Sequence, residues 1–496
     1  VALRYGKQTA LPGFEKGAEQ LELDLSTERK IVWDKVSQEI HSAFHSFLAS
    51  HKGAEGAFVA NESMKGLGLI DALIKKHDVV VCNPPYSGRR NMNEVIRNDL
   101  TKLYPRKDGD LYTVFIDRCL DLTSENYGFC GMVTIHSFMF TSSHEEIRKE
   151  IINNTEIETM AHMGTRAEFD VANKTAQGFS MYSLGKVPGI QSDAKSGIYF
   201  RVVKENEEEK HTAFCNALED YVYNRCSFSD PHVFVLQQEK LKAIPGWPMV
   251  YWISVNIRNC FVYMKPLSKV ATPKAGLSSA DNQRFLRKWW EVGTKNIRFN
   301  LDKDISSTVH EFRWVPLMKG GDFNKWFGNR DHVINWYKDG FEIKAFPNAV
   351  IRNQQYYCVE GASYSLLTVS DFNLRYTPKG FIFDFAGSSL FATSIDLFLL
   401  IGILNSKLSS FFLKLLNPTV NSTIGDLERI PIPSYEKERI HSNAIKDKVK
   451  RCVDIKRQEA LLDETTWDFV HLDSWQSSLN NLLKIGKELI ILETDI

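Results

Sequence analysis

The 496-residue sequence has no C-x-x-C pair, no internal repeat, no low-complexity tract and no net charge. Its 8 cysteines, Cys82, Cys119, Cys130, Cys215, Cys226, Cys260, Cys358 and Cys452, are scattered. That spacing argues against a disulfide scaffold or a zinc site and for buried thiols in a reducing cytoplasm. The longest apolar run, Leu397 to Leu404, is far short of the roughly 20 residues a membrane span needs, so no membrane partner is expected. No signal peptide opens the chain, and Val rather than Met stands at position 1, so further sequence is expected upstream.

What is present is an ordinary globular composition, 43% hydrophobic and 25% charged. At roughly 100–200 residues per domain it implies two to four domains. The 61 Lys and Arg balance 61 Asp and Glu, but they are unevenly placed. Between Asn256 and Arg330 there are 14 basic residues against 6 acidic, and from Gln458 to Ile496 there are 2 against 8. Seven of the 10 Trp lie between Trp247 and Trp336. A basic, Trp-rich block in a neutral chain points to a polyanion.

Helices are expected at Glu28–His51, Ile70–His77, Leu111–Leu122 and His144–Asn153, from apolar residues recurring at three- and four-residue spacing. Between them lie strand-like runs: Asp78–Cys82, all apolar after its first residue, then Cys130–Ile135, Ile157–His162 and Gly178–Leu184. The alternation predicts an α/β fold with a doubly wound, Rossmann-like sheet over about residues 56–190, its first strand of the kind buried in a parallel sheet. Lys204–Lys210 reads as a solvated linker. A mixed α+β domain is expected over 230–433, with a helix from Ser394 to Leu416 interrupted at Asn405-Ser406. A C-terminal pair of helices, Lys446–Glu464 and Leu479–Leu492, falls within 434–496.

Chemistry enters directly after the first strand, at Asn83-Pro84-Pro85-Tyr86. In doubly wound sheets ligands bind where the chain leaves the carboxyl end of a strand. The two prolines stiffen the turn and remove backbone donors. The exocyclic amine of adenine is a poor nucleophile, because its lone pair is delocalised into the ring. An Asn83 Oδ1 and a Pro84 carbonyl, both accepting from that amine, would aim its lone pair at a methyl donor, with Tyr86 stacking on the base. Positioning and electrostatics carry such a step, and no general base is needed. The bland alternative is a Pro-rich turn.

Asn83-Pro84-Pro85-Tyr86 resembles the catalytic motif of amino-methylating, AdoMet-dependent methyltransferases. With Asp110–Arg118, Met163–Phe169, Lys319–Asn329, Leu374–Gly380 and Gly425–Pro431, the chain is similar to the adenine-specific DNA methyltransferases of BREX phage-exclusion systems from Val79 to Pro433. The resemblance implies residues 1–200 as the carboxyl part of the methyltransferase domain and 230–433 as a target-recognition domain. It implies S-adenosyl-L-methionine as cofactor, duplex DNA as substrate and methylation that marks self DNA. Other phage-defence proteins are implied as partners, with phage DNA mimics as inhibitors. By the same resemblance Asn83 lies at the cofactor as well as at the base, Phe115 lies against the cofactor's adenine, and Phe169 stacks on the extruded base opposite Tyr86. Extrusion is needed because a paired base hides its amine. From the residues alone, core packing suits Phe115 equally well.

The family's glycine-rich cofactor loop follows the first strand of the sheet. Here the only G-x-G is Gly66-Leu67-Gly68, close ahead of Asn83 with no strand before it, and it reads as a helix start. The AdoMet loop is therefore expected upstream of Val1, which would make this the second part of a larger enzyme. In the basic block Arg284, Arg287 and Lys288 are expected on one turn, with Lys319, Lys325 and Arg330 beyond them, as phosphate contacts. The amides of Asn282, Gln283, Asn353, Gln354 and Gln355 are offered to base edges. Two rival functions stay open: a non-catalytic DNA-recognition module, favoured by the absent glycine loop, and an RNA or protein-glutamine methyltransferase, disfavoured by the basic block.

Overall fold

The computed structural model describes residues 42–43, 46, 54–165, 178–186, 195–224, 229–299, 312–366, 371–417, 422–434, 439–469 and 475–495. Nearly all of the Glu28–His51 helix and the whole of the loop holding Phe169 lie outside the described residues. A helix α1 (Ala54–Ile74) leads into strand β1 (Val79–Cys82), so the helix expected to begin at Ile70 is the end of a longer one. Strands β2 (Gly128–Ile135), β3 (Glu156–Gly164), β4 (Phe179–Lys186), β5 (Ser196–Arg201) and β6 (Val233–Gln237) complete a six-stranded sheet ordered β1-β2-β4-β3-β5-β6.

The sheet is mixed. β1 pairs with β2 and β3 with β5 in parallel, whereas β4 runs antiparallel between β2 and β3, and β6 antiparallel to β5. An antiparallel neighbour needs no crossover helix, and an apolar strand reads alike whichever way its neighbours run. The sheet also draws its last two strands from near and beyond residue 200. The Lys204–Lys210 charge run is not a linker. Asn206 caps helix α5 (Glu207–Tyr223, after α2 at Glu94–Leu103, α3 at Leu111–Leu122 and α4 at Glu145–Asn154) by accepting from the Glu209 N–H at 3.0 Å. Three glutamates in its first turn suit the positive end of the helix dipole.

β1 is not buried as expected. Val79 is 63% and Val81 78% exposed, because among the described residues β1 is an edge strand covered on one face. That covered face rests on α3, whose Asp110 cap accepts from the Tyr112 N–H and whose Ile116, Cys119 and Leu120 are buried. Of the cysteines, Cys119, Cys130, Cys358 and Cys452 are buried free thiols, and Cys82, Cys215 and Cys260 are partly exposed free thiols.

Two four-stranded sheets follow. One joins 382–383, 314–318, 332–335 and 286–288, and the other 374–377, 361–364, 389–392 and 271–274. The late helix is broken where expected, into α6 (Leu397–Leu404) and α7 (Lys407–Leu416). Asn405 leaves the helix to bond both backbone groups of Leu374, its Oδ1 accepting at 2.7 Å and its Nδ2 donating at 3.0 Å. Ser406 then caps α7. The terminal helices α8 (Arg439–Leu461) and α9 (Trp475–Asp495) are joined by a bidentate Arg451–Glu488 pair at 2.6 and 2.9 Å. One continuous core links β2 and α3, through the 361–376 strands and α6, to Cys452 and Leu489. A second core gathers Phe285, Leu317, Trp336, Tyr357 and Phe383, with Trp467 packed against it. Among the described residues no single helix is long and apolar enough to cross a membrane.

Candidate active site and nucleic-acid interface

The turn after β1 is held from two sides. The Ser87 N–H donates to Asp110 Oδ1 at 3.0 Å, and the Leu111 N–H donates to the Ser87 carbonyl at 3.1 Å. The residue that caps α3 thus also anchors the end of the Asn-Pro-Pro-Tyr turn. Partial burial pushes the Asp110 carboxyl up, against the lowering effect of the backbone N–H groups it accepts. Pro84 is buried, while Asn83 and Pro85 are exposed.

Tyr86 is partly buried, and its one hydroxyl proton is shared between two acceptors, Asn83 Oδ1 at 3.0 Å and the Val133 carbonyl at 3.2 Å. One lone pair of Asn83 Oδ1 is thereby engaged and the amide is held in one direction, leaving the second lone pair for a ligand amine. The Tyr86 ring meets Tyr112 and Phe179 edge-on, with centroids 6.1 and 6.0 Å away. Tyr112 is itself fixed by a 2.8 Å hydroxyl contact to Ser137 Oγ. The sequence reading missed Tyr112 and Phe179 as supports. The one signal for Tyr112 was its place two residues after an Asp that can cap a helix.

Phe115 is partly exposed and packs against the principal core. Gly66 and Gly68 lie inside α1, neither at its start nor in a strand-to-helix loop. An apolar hollow of about 440 Å³ is lined by Val81, Asn83, Val133, Met181 and Phe200 on the sheet face away from α3.

The basic block differs from its expected form. Arg284 is the third residue of a four-residue helix, whereas Arg287 and Lys288 lie in a strand, where consecutive side chains point to opposite faces. The three do not share a helical turn. Arg284 is exposed, its guanidinium 5.3 Å from the Phe346 ring. Arg287 donates to the Gln283 and Leu286 carbonyls, and Lys288 is ion-paired with Asp331. Lys319 is partly exposed. Lys325 donates to the Asn405 carbonyl at 3.2 Å.

Arg330 does not stand as a surface cation. Its guanidinium lies over Phe327, Phe381 and Trp467 and pairs with Asp468 at 2.7 Å, so its charge is neutralised and largely buried. The Asn353 amide donates to the Ala275 carbonyl and the Gln354 amide to Asp339, so these two are engaged internally rather than offered to bases. Replacing Arg284, Arg287 and Lys288 together is therefore expected to flatten the salt dependence of duplex binding by up to about 2 units, from the two arginines. Lys288, already paired, contributes less. A fluorescence-anisotropy salt titration checks this, and an unchanged slope in a folded variant removes these cations from the interface.

Residues 21–169 match a family model described as Eco57I restriction-modification methylase. The adenine-specific methyltransferase BrxX of Escherichia coli O9:H4 (strain HS) is 31% identical over 400 residues, covering 80% of this chain and 30% of BrxX. The adenine-specific methyltransferase PglX of Lacticaseibacillus casei (strain Zhang) is 31% identical over 413 residues, covering 80% of this chain and 32% of PglX. The chain thus spans about a third of the length of these curated relatives. The type IIL restriction-modification enzyme MmeI in complex with DNA aligns over 84% of this chain and 54% of its own, at 13% identity and a TM-score of 0.45. That likeness is too distant to add weight. The chain is thus similar, over four-fifths of its length, to the BrxX and PglX adenine-specific methyltransferases, and its residues 21–169 match the Eco57I restriction-modification methylase model.

Proposed function

We propose that this chain carries the methyl-acceptor half of the active site and the recognition half of an N6-adenine DNA methyltransferase of a BREX-type phage-defence system. The observation that carries the reading is Asn83 at the carboxyl end of β1, exposed, with its Oδ1 held by the Tyr86 hydroxyl. The extruded adenine places its amine on Asn83 Oδ1 and the Pro84 carbonyl. Two acceptors on one amine draw its lone pair out of conjugation with the ring and aim it. Tyr86 and Phe169 take the faces of the base. Arg284, Arg287, Lys319 and Lys325 are the cations assigned to phosphate, with Lys288 secondary because Asp331 already neutralises it.

AdoMet supplies the electrophilic methyl group in such an enzyme. The described residues do not fit it: Gly66 and Gly68, the one G-x-G of the chain, lie inside a helix and so form no turn that could cradle the cofactor's ribose and methionine. The cofactor cradle is assigned outside the described residues, and no step through it is given to this chain. The same misfit favours the second reading, a DNA-recognition module without turnover.

Methylomes decide between them. A host with the intact gene is expected to show adenine methylation at one recognition sequence, lost in the deletion strain and in an Asn83→Ala strain. Marks lost on deletion but kept in Asn83→Ala would leave the recognition module standing. Marks unaffected by deletion would remove both readings.

A further inference from the structure

Two histidines on the catalytic rim of the sheet take no part in holding the amine. β2 ends at Ile135 and runs into His136, and β3 carries His162 near its end. His136 Nδ1 lies 2.8 Å from His162 Nε2. The His136 N–H donates to the Gly178 carbonyl at 2.8 Å, and the next residue, Phe179, is edge-on to Tyr86. His136 therefore stands directly beside the support of the Asn-Pro-Pro-Tyr turn.

The hydrogen-bond pattern decides where the protons are. His162 is 2% exposed, ringed by Phe140, Tyr251 and Trp252, and its Nδ1 has no partner and no contact with solvent. Burial, with the Lys210 charge adding to it, pushes His136 down to about 4, and burial with His136, Arg201 and Lys210 pushes His162 well below the usual imidazole range. Both rings are neutral at pH 7. If His162 carried its proton on Nδ1, a sealed N–H donor would have no acceptor, at a cost of about 1–3 kcal/mol. With the proton on Nε2, the orphan is a bare lone pair, which folded proteins tolerate more readily than an orphan donor. His162 then donates to His136 Nδ1, and His136 must carry its own proton on Nε2. That atom is not among the sealed ones, so it faces outward.

We infer that His162 locks His136 as a neutral Nε2–H donor on the rim, and that this donor takes a phosphate oxygen of the strand carrying the extruded adenine. The assignment rests on the methyltransferase reading. Phosphate fits better than base because the Arg201 guanidinium shares this end of the sheet with the pair. It lies 4.4 Å over Trp252, whose ring centroid is 6.0 Å from that of His162. The nearby acid, Glu205, is engaged with His232 at 3.1 Å. In such a field an imidazole stays uncharged yet presents its N–H to an anion. His136 is thus a binding residue and His162 a positioning residue.

The test uses the full-length enzyme and duplexes with a methylphosphonate on either side of the target adenine. The modification that removes the contacted oxygen is expected to lower kcat/KM about 10-fold with wild type, and His136→Ala to do about the same. Combined, the two should cost no more than either alone, and His136→Gln should recover part of the loss. Multiplicative losses overturn the contact, and sensitivity to deaza-adenine in place of methylphosphonate moves it to the base and overturns the phosphate. A wild-type enzyme that methylates no adenine refutes the methyltransferase reading itself. The proton placement is read separately by 15N NMR of histidine-labelled protein, where Nε2–H resonances are expected for both rings at pH 7. An Nδ1–H form of either ring, or an imidazolium at His136, refutes the lock whether or not the enzyme is active. His162→Leu should free His136 to the other tautomer and reproduce the His136→Ala loss.

Discussion

Asn83→Ala in the full-length enzyme should lower kcat for adenine methylation by about 10²–10³-fold, with duplex affinity within a factor of about two. The side chain supplies orientation at the amine and touches no phosphate in the proposed arrangement, so the loss falls on kcat. Folding is expected to survive, because Asn83 is exposed and its one described side-chain bond is the contact with Tyr86. Tyr86→Phe separates the two duties of that tyrosine. It keeps the ring for stacking but frees the Asn83 amide to rotate, so a loss of about 10-fold in kcat is expected at unchanged KM. Methylation at the wild-type rate by Asn83→Ala would end the assignment of this turn as the acceptor site.

Removal of the acidic tail from Gln458 onward should unfold or aggregate the recognition half rather than leave it intact. The tail's charge suggests a segment that stays clear of DNA, but its contacts make it part of the fold. Trp467 packs on Phe381 and Phe299, with ring centroids 5.8 and 5.4 Å away, and lies under Arg330. Asp468 neutralises Arg330, Glu493 accepts from Trp326 Nε1 at 2.6 Å, and the Thr465 carbonyl accepts from Trp289 Nε1 at 2.9 Å. Truncation leaves a largely buried guanidinium without its carboxylate, a desolvated indole N–H without an acceptor, and Cys452 and the second core exposed. Each loss is on the order of 1–3 kcal/mol, which together should lower Tm by roughly 10 °C or more. Differential scanning fluorimetry and gel filtration measure it. A truncated chain as stable and monodisperse as the whole would show the tail to be dispensable. Asp468→Asn, which keeps the shape, should show a smaller share of the same loss.

Local signals were legible where one residue type does one job. Apolar spacing placed α3 at Leu111–Leu122, and Asn405-Ser406 broke the late helix, because a short polar side chain there competes with the helix backbone. The Asn-Pro-Pro-Tyr turn was legible for the same reason, since its stiffness is written in its own four residues. The charge run at Lys204 was misread because its glutamates serve a helix dipole, which a count of charges does not register.

Sequence alone therefore determined the α/β character, the main elements of the first sheet and the place of the Asn-Pro-Pro-Tyr turn directly after its first strand. These depend on spacing and on interactions a few residues long. Tertiary structure decided the rest: that β4 runs antiparallel between β2 and β3, and that β1 is an edge strand with Val81 exposed. It also decided that Arg330 is a core ion pair and not a phosphate contact, and that His136 and His162 share a hydrogen bond. The physical reason is common to all four. A strand's direction, a cation's solvation and an imidazole's tautomer are set by partners tens to more than a hundred residues away, and a side chain carries no local mark of which partner it will meet.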